Sequence, residues 1–268
     1  NNYIAQTTNG YLYITDDNDV YQSTDSGDTW SAMSSTGITY KIHGITSFGD
    51  DLFLVSGDGG TNKELFFYDQ SADTWTNESL GSSFTGYFTG IWFSKGTLFV
   101  SGKSDTAEFL WESSPFTKNF SGDFQATNAL TQTEPTHEFT DVCDAGAVVL
   151  AGNTDGNIYS LKLDGGSWSL KGQTKLSFEE IHSLAATEGL VFIGTKGSQS
   201  QVGRFYSAEV TVADNLYVLA NRQLIKQWDN GIDQTPHSLF VTRDSVYMGV
   251  HESATTTYLY RYFLPTAG

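Results

Sequence analysis

A short pattern recurs along this chain: an apolar residue, then His or Thr, then a small or acidic residue, then an apolar residue. It reads Ile42-His43-Gly44-Ile45, Phe88-Thr89-Gly90-Ile91, Phe139-Thr140-Asp141-Val142 and Ile181-His182-Ser183-Leu184, with a weaker copy at Pro236-His237-Ser238-Leu239. Nine or ten residues after each start comes an apolar run ending at or near glycine: Leu52 to Gly57, Leu98 to Gly102, Val148 to Gly152, Leu190 to Gly194 and Val246 to Gly249. A third apolar stretch follows in each unit, from Glu64, Glu108, Asn157, Arg204 and Tyr258, and Trp30, Trp75 and Trp168 open a fourth.

The segment from Tyr3 fits the same plan, so the units start near residues 4, 42, 88, 139, 181 and 236, between 38 and 55 residues apart. Four short strands in that length is the period of a propeller blade. Gly, Asp, Asn and Ser punctuate the runs, Asp155-Gly156 reads as a tight turn, and no segment keeps a 3.6-residue period with caps. The expected fold is all-β, one β-propeller domain over residues 1–268 with six blades. A seventh stays open, because the unit from Ile181 is the longest and has room for an extra strand near Leu216 to Leu219. Only four residues follow Leu264, and Tyr3 already opens the first unit, so the last blade is expected to have three strands. Its outer edge would be the run holding Tyr258, Tyr260, Tyr262 and Phe263, a candidate for contact with a partner chain by strand addition.

Charge narrows the partners. With 14 Lys and Arg against 31 Asp and Glu, the net charge is −17. Such a surface repels phosphate backbones and anionic lipid, so neither nucleic acid nor membrane insertion is expected. The single cysteine, Cys143, rules out an intramolecular disulfide and reads as a small buried hydrophobe. No His and Cys stand at zinc-finger spacing, no apolar run reaches spanning length, and no targeting segment is visible.

The segment Ser23-Thr24-Asp25-Ser26-Gly27-Asp28-Thr29-Trp30 fills all eight positions of the motif S-x-D-x-G-x-T-W. It resembles the Asp-box of the BNR-repeat, sialidase-like propellers. Degenerate copies stand at Tyr68 to Trp75 and at Asp164 to Trp168, and the unit with Tyr68, Asp69 and Trp75 is also partly kelch-like. The resemblance implies a structural motif. Ser23 and Asp25 would tie down backbone N–H groups of the turn, Gly27 would take a positive φ, Thr29 completes the motif, and Trp30 would pack between blades. The nearby Asp16-Asp17-Asn18-Asp19 run lacks a full calcium-loop pattern and reads as a solvated turn.

The resemblance also brings the sialidase reaction to the test. That chemistry needs three arginines from separate blades to clamp a carboxylate, the first near the N-terminus in an R-I-P motif. Here the only arginines are Arg204, Arg222, Arg243 and Arg261, and no R-I-P occurs. Paired carboxylates of a glycosidase cannot be nominated among 31 acidic residues. No catalytic residue, cofactor or metal site is therefore assigned. His43, Thr89, Thr140, His182 and His237 share one slot on the innermost strands and form a candidate axial channel. Thr in two of the five positions favours a repeated structural hydrogen bond over a metal site there. Tyr87, Trp92 and Trp228 could stack on sugars, but packing between blades is the plainer role.

The expected function is a non-catalytic binding or assembly module, extracellular or on a virion or filament surface, with a protein partner or a glycan. The alternatives are a glycoside hydrolase or a lectin of the Asp-box propeller class. A lectin should repeat its pocket residues from blade to blade, and no such set recurs.

Overall fold

The computed structural model describes residues 3–33, 37–60, 62–78, 86–104, 107–113, 128–132, 137–187, 189–197, 202–228, 234–253 and 256–264. Among these there is no helix, and 23 strands form six antiparallel sheets, the blades of a β-propeller. The chain separates into two compact units of three blades each, Asn1–Thr136 and His137–Gly268.

In the first unit, blade 1 holds β1 (Ile4–Gln6), β2 (Leu12–Asp16), β3 (Asp19–Ser23) and β4 (Ser31–Ala32). Blade 2 holds β5 (Lys41–Phe48), β6 (Asp51–Gly57), β7 (Lys63–Asp69) and β8 (Thr74–Glu78). Blade 3 holds β9 (Tyr87–Ser94), β10 (Thr97–Lys103), β11 (Glu108–Ser113) and β12 (Asn128–Gln132). Each blade is a plain meander in which every strand pairs with its sequence neighbour.

The apolar runs of the second strands follow from burial on both faces. Leu52 and Leu54 of β6 pack with Tyr13, Val20 and Ile42 between blades 1 and 2. Phe53 and Val55 point the other way and pack with Phe88, Ile91 and Trp111 between blades 2 and 3. A strand buried on both faces has no polar face to show, so alternation disappears from its sequence.

In the second unit, blade 4 holds β13 (Phe139–Asp144), β14 (Val149–Asn153), β15 (Asn157–Asp164) and β16 (Ser167–Lys175). Blade 5 holds β17 (Glu179–Thr187), β18 (Leu190–Gly197), β19 (Gly203–Ala213) and β20 (Leu216–Gln227). Blade 6 holds only β21 (Thr235–Val241), β22 (Ser245–Ser253) and β23 (Thr256–Phe263) among the described residues. Val191 and Ile193 face blade 4, and Phe192 faces blade 6.

Two expectations change here. The stretch from Leu216 to Leu219 is not an extra strand that begins a seventh blade. It opens β20, the twelve-residue fourth strand of blade 5, because Asp214 and Asn215 take positive φ and close a tight hairpin with β19. Trp30 does not pack between blades. Its side chain is 37% exposed, and its indole N–H donates to the Gly27 carbonyl at 3.1 Å, which holds the ring on its own turn. Trp75 and Trp168, at the matching positions of blades 2 and 4, are the more buried pair.

Candidate functional site

The Asp-box turn is closed on itself. The Gly27 N–H donates to Ser23 Oγ at 2.8 Å, and Ser23 Oγ donates to Asp25 Oδ1 at 2.7 Å. Asp25 Oδ1 also accepts the Thr29 N–H at 2.9 Å, and Oδ2 accepts the Thr29 hydroxyl at 2.6 Å. Gly27 sits at φ +96°, the left-handed side that a glycine takes without strain. The bonds from the Thr29 hydroxyl and N–H, then from Ser23, hold the Asp25 carboxyl down at about 2. A carboxylate this low, with its acceptors used within one loop, is not poised for acid–base chemistry near neutral pH.

The five residues of the shared slot occupy one backbone device. In each of blades 2 to 6 the pairing of the innermost strand shifts register at that slot, leaving His43, Thr89, Thr140, His182 or His237 as the extra residue of a β-bulge. The bulge has a packing reason. Ile42 and Ile45 lie in one core cluster, as do Phe88 and Ile91, and Ile181 and Leu184. Residues three apart on a regular strand face opposite ways, and one extra residue restores them to the same face.

The bulged side chains make hydrogen bonds within the scaffold. His43 Nε2 donates to the Gly57 carbonyl at 3.2 Å, and the Thr89 and Ser101 hydroxyls are 2.7 Å apart. Thr140 Oγ1 donates across to Ile181 of the next blade at 2.8 Å. His182 lies 3.4 Å from Glu180 Oε2 and meets His237 edge to face, ring centroids 4.9 Å apart. Among the described residues, no group of three His, Cys, Asp or Glu is arranged to hold a metal ion.

Three of the four arginines are tied into blades 5 and 6. Arg204 pairs with Glu179 and donates from Nε to Gln227 at 2.9 Å. Arg222 lies over the Tyr206 ring at 5.2 Å, and Arg261 over Phe263 at 4.3 Å. Glu179, absent from the sequence-based reading, is buried and also accepts from Thr195 at 2.7 Å and Tyr206 at 3.1 Å. Burial, then the Glu179 charge, pushes the Tyr206 hydroxyl up.

The strand holding Tyr258, Tyr260, Tyr262 and Phe263 is β23, the outer strand of the three-stranded blade among the described residues. Its inward row is Tyr260 and Tyr262. Tyr260 meets the Trp228 ring at 5.7 Å, and Tyr262 meets Phe205 at 5.9 Å. Its other row leaves Leu259 75% and Phe263 65% exposed. Register runs unbroken from Ser245↔Phe263 to His251↔Thr257 and shifts once beyond it, between His251 and Ser253. The outer strand of blade 5 is different: β20 carries Arg222 and Lys226, and two register shifts interrupt its pairing with β19. Bulges and charges are the usual protection of an edge, and β23 has one charge, Arg261, which lies over Tyr247 and Phe263 and pairs with Asp244 at 3.5 Å.

No protein-family model and no curated protein sequence matches the chain. Solved structures do, at identities that speak to the fold alone. The WD40 repeats of RRP9 superpose with TM-score 0.65 at 13% identity, over 92% of this chain and 72% of that one. The extracellular domain of the hybrid two-component system BT4673 from B. thetaiotaomicron gives 0.66 at 15%, over 97% of this chain and 32% of that one. YCF48 bound to D1 peptide gives 0.58 at 11%, over 96% of this chain and 80% of that one. The chain is a six-bladed β-propeller.

Proposed function

We propose that this chain is a non-catalytic interaction propeller that takes an extended segment of a partner protein as the fourth strand of its sixth blade. One observation carries the reading: among the described residues five sheets have four strands, and the sixth has three and ends in a long, aromatic β23. Strand addition uses main-chain hydrogen bonds for affinity and alternate side chains for selectivity. A propeller bound to a peptide, YCF48, and a WD40 propeller stand among the structural neighbours. The commitment of Asp25, Glu179 and Arg204 to internal bonds favours a scaffold over an enzyme.

The closed Ser23–Trp30 turn supports placing the chain in the Asp-box class. Its low density of charge and disulfide-free sequence suit a module outside the cell or on a virion or filament surface, and BT4673 supplies an extracellular neighbour.

Amide hydrogen exchange on the isolated chain tests the reading. The outward N–H groups of β23 should exchange fast while those of β22 stay slow. Equal protection in both strands would mean that the slot is already filled, and the proposal would fall. A panel of glycosides should show no turnover. Hydrolysis abolished by one carboxylate substitution would replace this reading with an enzymatic one.

A further inference from the structure

We infer that Phe178 is a docking anchor, an aromatic ring presented by a rigid turn to an apolar pocket on a partner protein. The turn joins blade 4 to blade 5, and the inference stands apart from strand addition at β23.

The backbone is the first observation. Phe178 sits at φ +65°, in the left-handed region. There the Cβ crowds the following carbonyl oxygen, and a bulky residue is a genuine outlier. Among the described residues, the other seven non-glycine residues with positive φ are Asp, Asn, Ser or Lys. Phe178 is the one apolar side chain in that set. For folding alone, glycine or asparagine would serve better at this position.

The second observation is that the turn has no way to relax. Residues 176–179 form a four-residue turn, closed by the Glu179 N–H donating to the Leu176 carbonyl at 3.2 Å. Leu176 is fully buried in the cluster between blades 4 and 5, and its N–H donates to the Gly156 carbonyl at 2.8 Å. Gly156 lies directly against the turn, since a Cβ there would collide with the carbonyl oxygens of both Leu176 and Glu179. At the other end, the Glu179 carboxylate is fixed by Arg204, Thr195 and Tyr206. With both ends held, the strain stays at residue 178.

The third is where the ring goes. Phe178 is 70% exposed, so the strained backbone displays the ring to solvent instead of burying it. A ring on a fixed backbone has two torsions left to order, so it loses little entropy on docking. Buried aromatic anchors of this kind dominate protein interfaces. A sugar would need free hydrogen-bonding groups beside the ring. The polar side chains at these strand ends are already engaged: Lys175 pairs with Asp155 at 2.5 Å, His137 stands 3.6 Å from Asp155, and Glu179 pairs with Arg204. A pocket on a protein fits the arrangement better than a glycan.

Two variants separate folding from recognition. Phe178→Gly and Phe178→Asn both accept a left-handed backbone. Each should melt at or above the Tm of the unsubstituted protein. A lower Tm in either would make the ring a structural part and overturn the inference.

For recognition, p-benzoylphenylalanine replaces Phe178, or the exposed Val212 as a control, and the chain is irradiated in an extract of the organism that makes it. A protein cross-linked from position 178 and not from 212 is then purified and titrated against the chain. Phe178→Asn should weaken its binding at least about tenfold, Phe178→Trp should keep most of it, and Leu259→Lys on β23 should leave it unchanged. Loss with Leu259→Lys and none with Phe178→Asn would place the partner on β23, overturning this inference while the proposed function stands. The absence of a cross-link specific to 178 overturns it too. Glycan-array binding that Phe178→Asn abolishes would give the ring to a carbohydrate and overturn the protein partner.

Discussion

Ser183 donates its hydroxyl to the Pro236 carbonyl at 2.7 Å, joining the innermost strands of blades 5 and 6 across 53 residues of sequence. Thr140 makes the matching bond to Ile181 between blades 4 and 5. In both cases the acceptor is the carbonyl just before the bulge of the next blade. Gly194 explains how the strands come so near. A Cβ built there would lie 2.3 Å from Ser183 Oγ and 2.6 Å from the Pro236 carbonyl. A Cβ on Gly152 would likewise meet Ile181 of the next blade at 2.6 Å, so in blades 4 and 5 the glycine of the second strand is a requirement of the seam.

Ser183→Ala should lower unfolding free energy by about 1–3 kcal/mol, because it strands a buried carbonyl without its donor. Gly194→Ala should cost about as much by overpacking, and more if the seam cannot shift. Urea unfolding of the two variants and of their combination is the check. In the double variant the effects should fall short of additive, since removing Ser183 Oγ relieves the closer clash. Strict additivity would mean that the two residues do not share a seam.

Asp25 gives the first blade an acid-sensitive turn. Its carboxyl is held at about 2, below the ordinary 3.8, first by the Thr29 hydroxyl. A depressed folded-state value means that the unfolded chain takes up the proton first as pH falls. The contribution of Asp25 is therefore whole above pH 4 and is lost between about 4 and 2. Asp25→Ala should lower Tm at pH 7, and the gap from the unsubstituted protein should close as pH approaches 2. A gap that stays constant with pH would exclude the carboxylate as its cause.

Much of this fold was legible because blade packing writes itself into residue types. Runs such as Leu52 to Val55 face two neighbouring blades, and they lose alternation for that reason. The bulges are legible too: the apolar residues around His43, Thr89 and His182 stand three apart, a spacing no regular strand keeps on one face. The fourth strand of blade 3, Asn128–Gln132, escaped because a five-residue strand with little aromatic or β-branched content has no pattern of its own. Trp30 was misplaced because the motif fixes its neighbours in sequence and says nothing of how short the following β4 is. The Glu179–Arg204 pair left no trace, since nothing in the chain marks which of 31 acidic residues meets a given arginine 25 positions away.

Cys143 should be chemically quiet. It is half-buried, packed against the cluster of Ala145, Val148, Leu150 and Ile181, and desolvation there, followed by the charges of Asp141 and Asp144, pushes its thiol up. The thiolate is the reactive form. A disulfide reagent at pH 8 should label the native protein far more slowly than the urea-unfolded chain. Equal rates would place the sulfur in solvent.

The strongest single stability prediction concerns Glu179. Its carboxylate is buried, paired with Arg204 and accepts from Thr195 and Tyr206, so one side chain holds β17, β18 and β19 together. Removing one member of such a pair leaves the other charge without compensation. Glu179→Ala should therefore destabilise the protein by about 3–5 kcal/mol, the usual range for a broken buried pair. Glu179→Gln keeps the shape and some of the hydrogen bonds, and should cost less. Arg204→Met removes the cation instead, leaves the carboxylate alone, and should cost nearly as much as Glu179→Ala. The double variant Glu179→Ala, Arg204→Met separates pair from packing: with neither charge buried, it should be more stable than Glu179→Ala alone. Denaturant unfolding followed by tryptophan fluorescence measures all four. If the double variant is weaker than both single ones, the network acts through packing, and the charge argument fails.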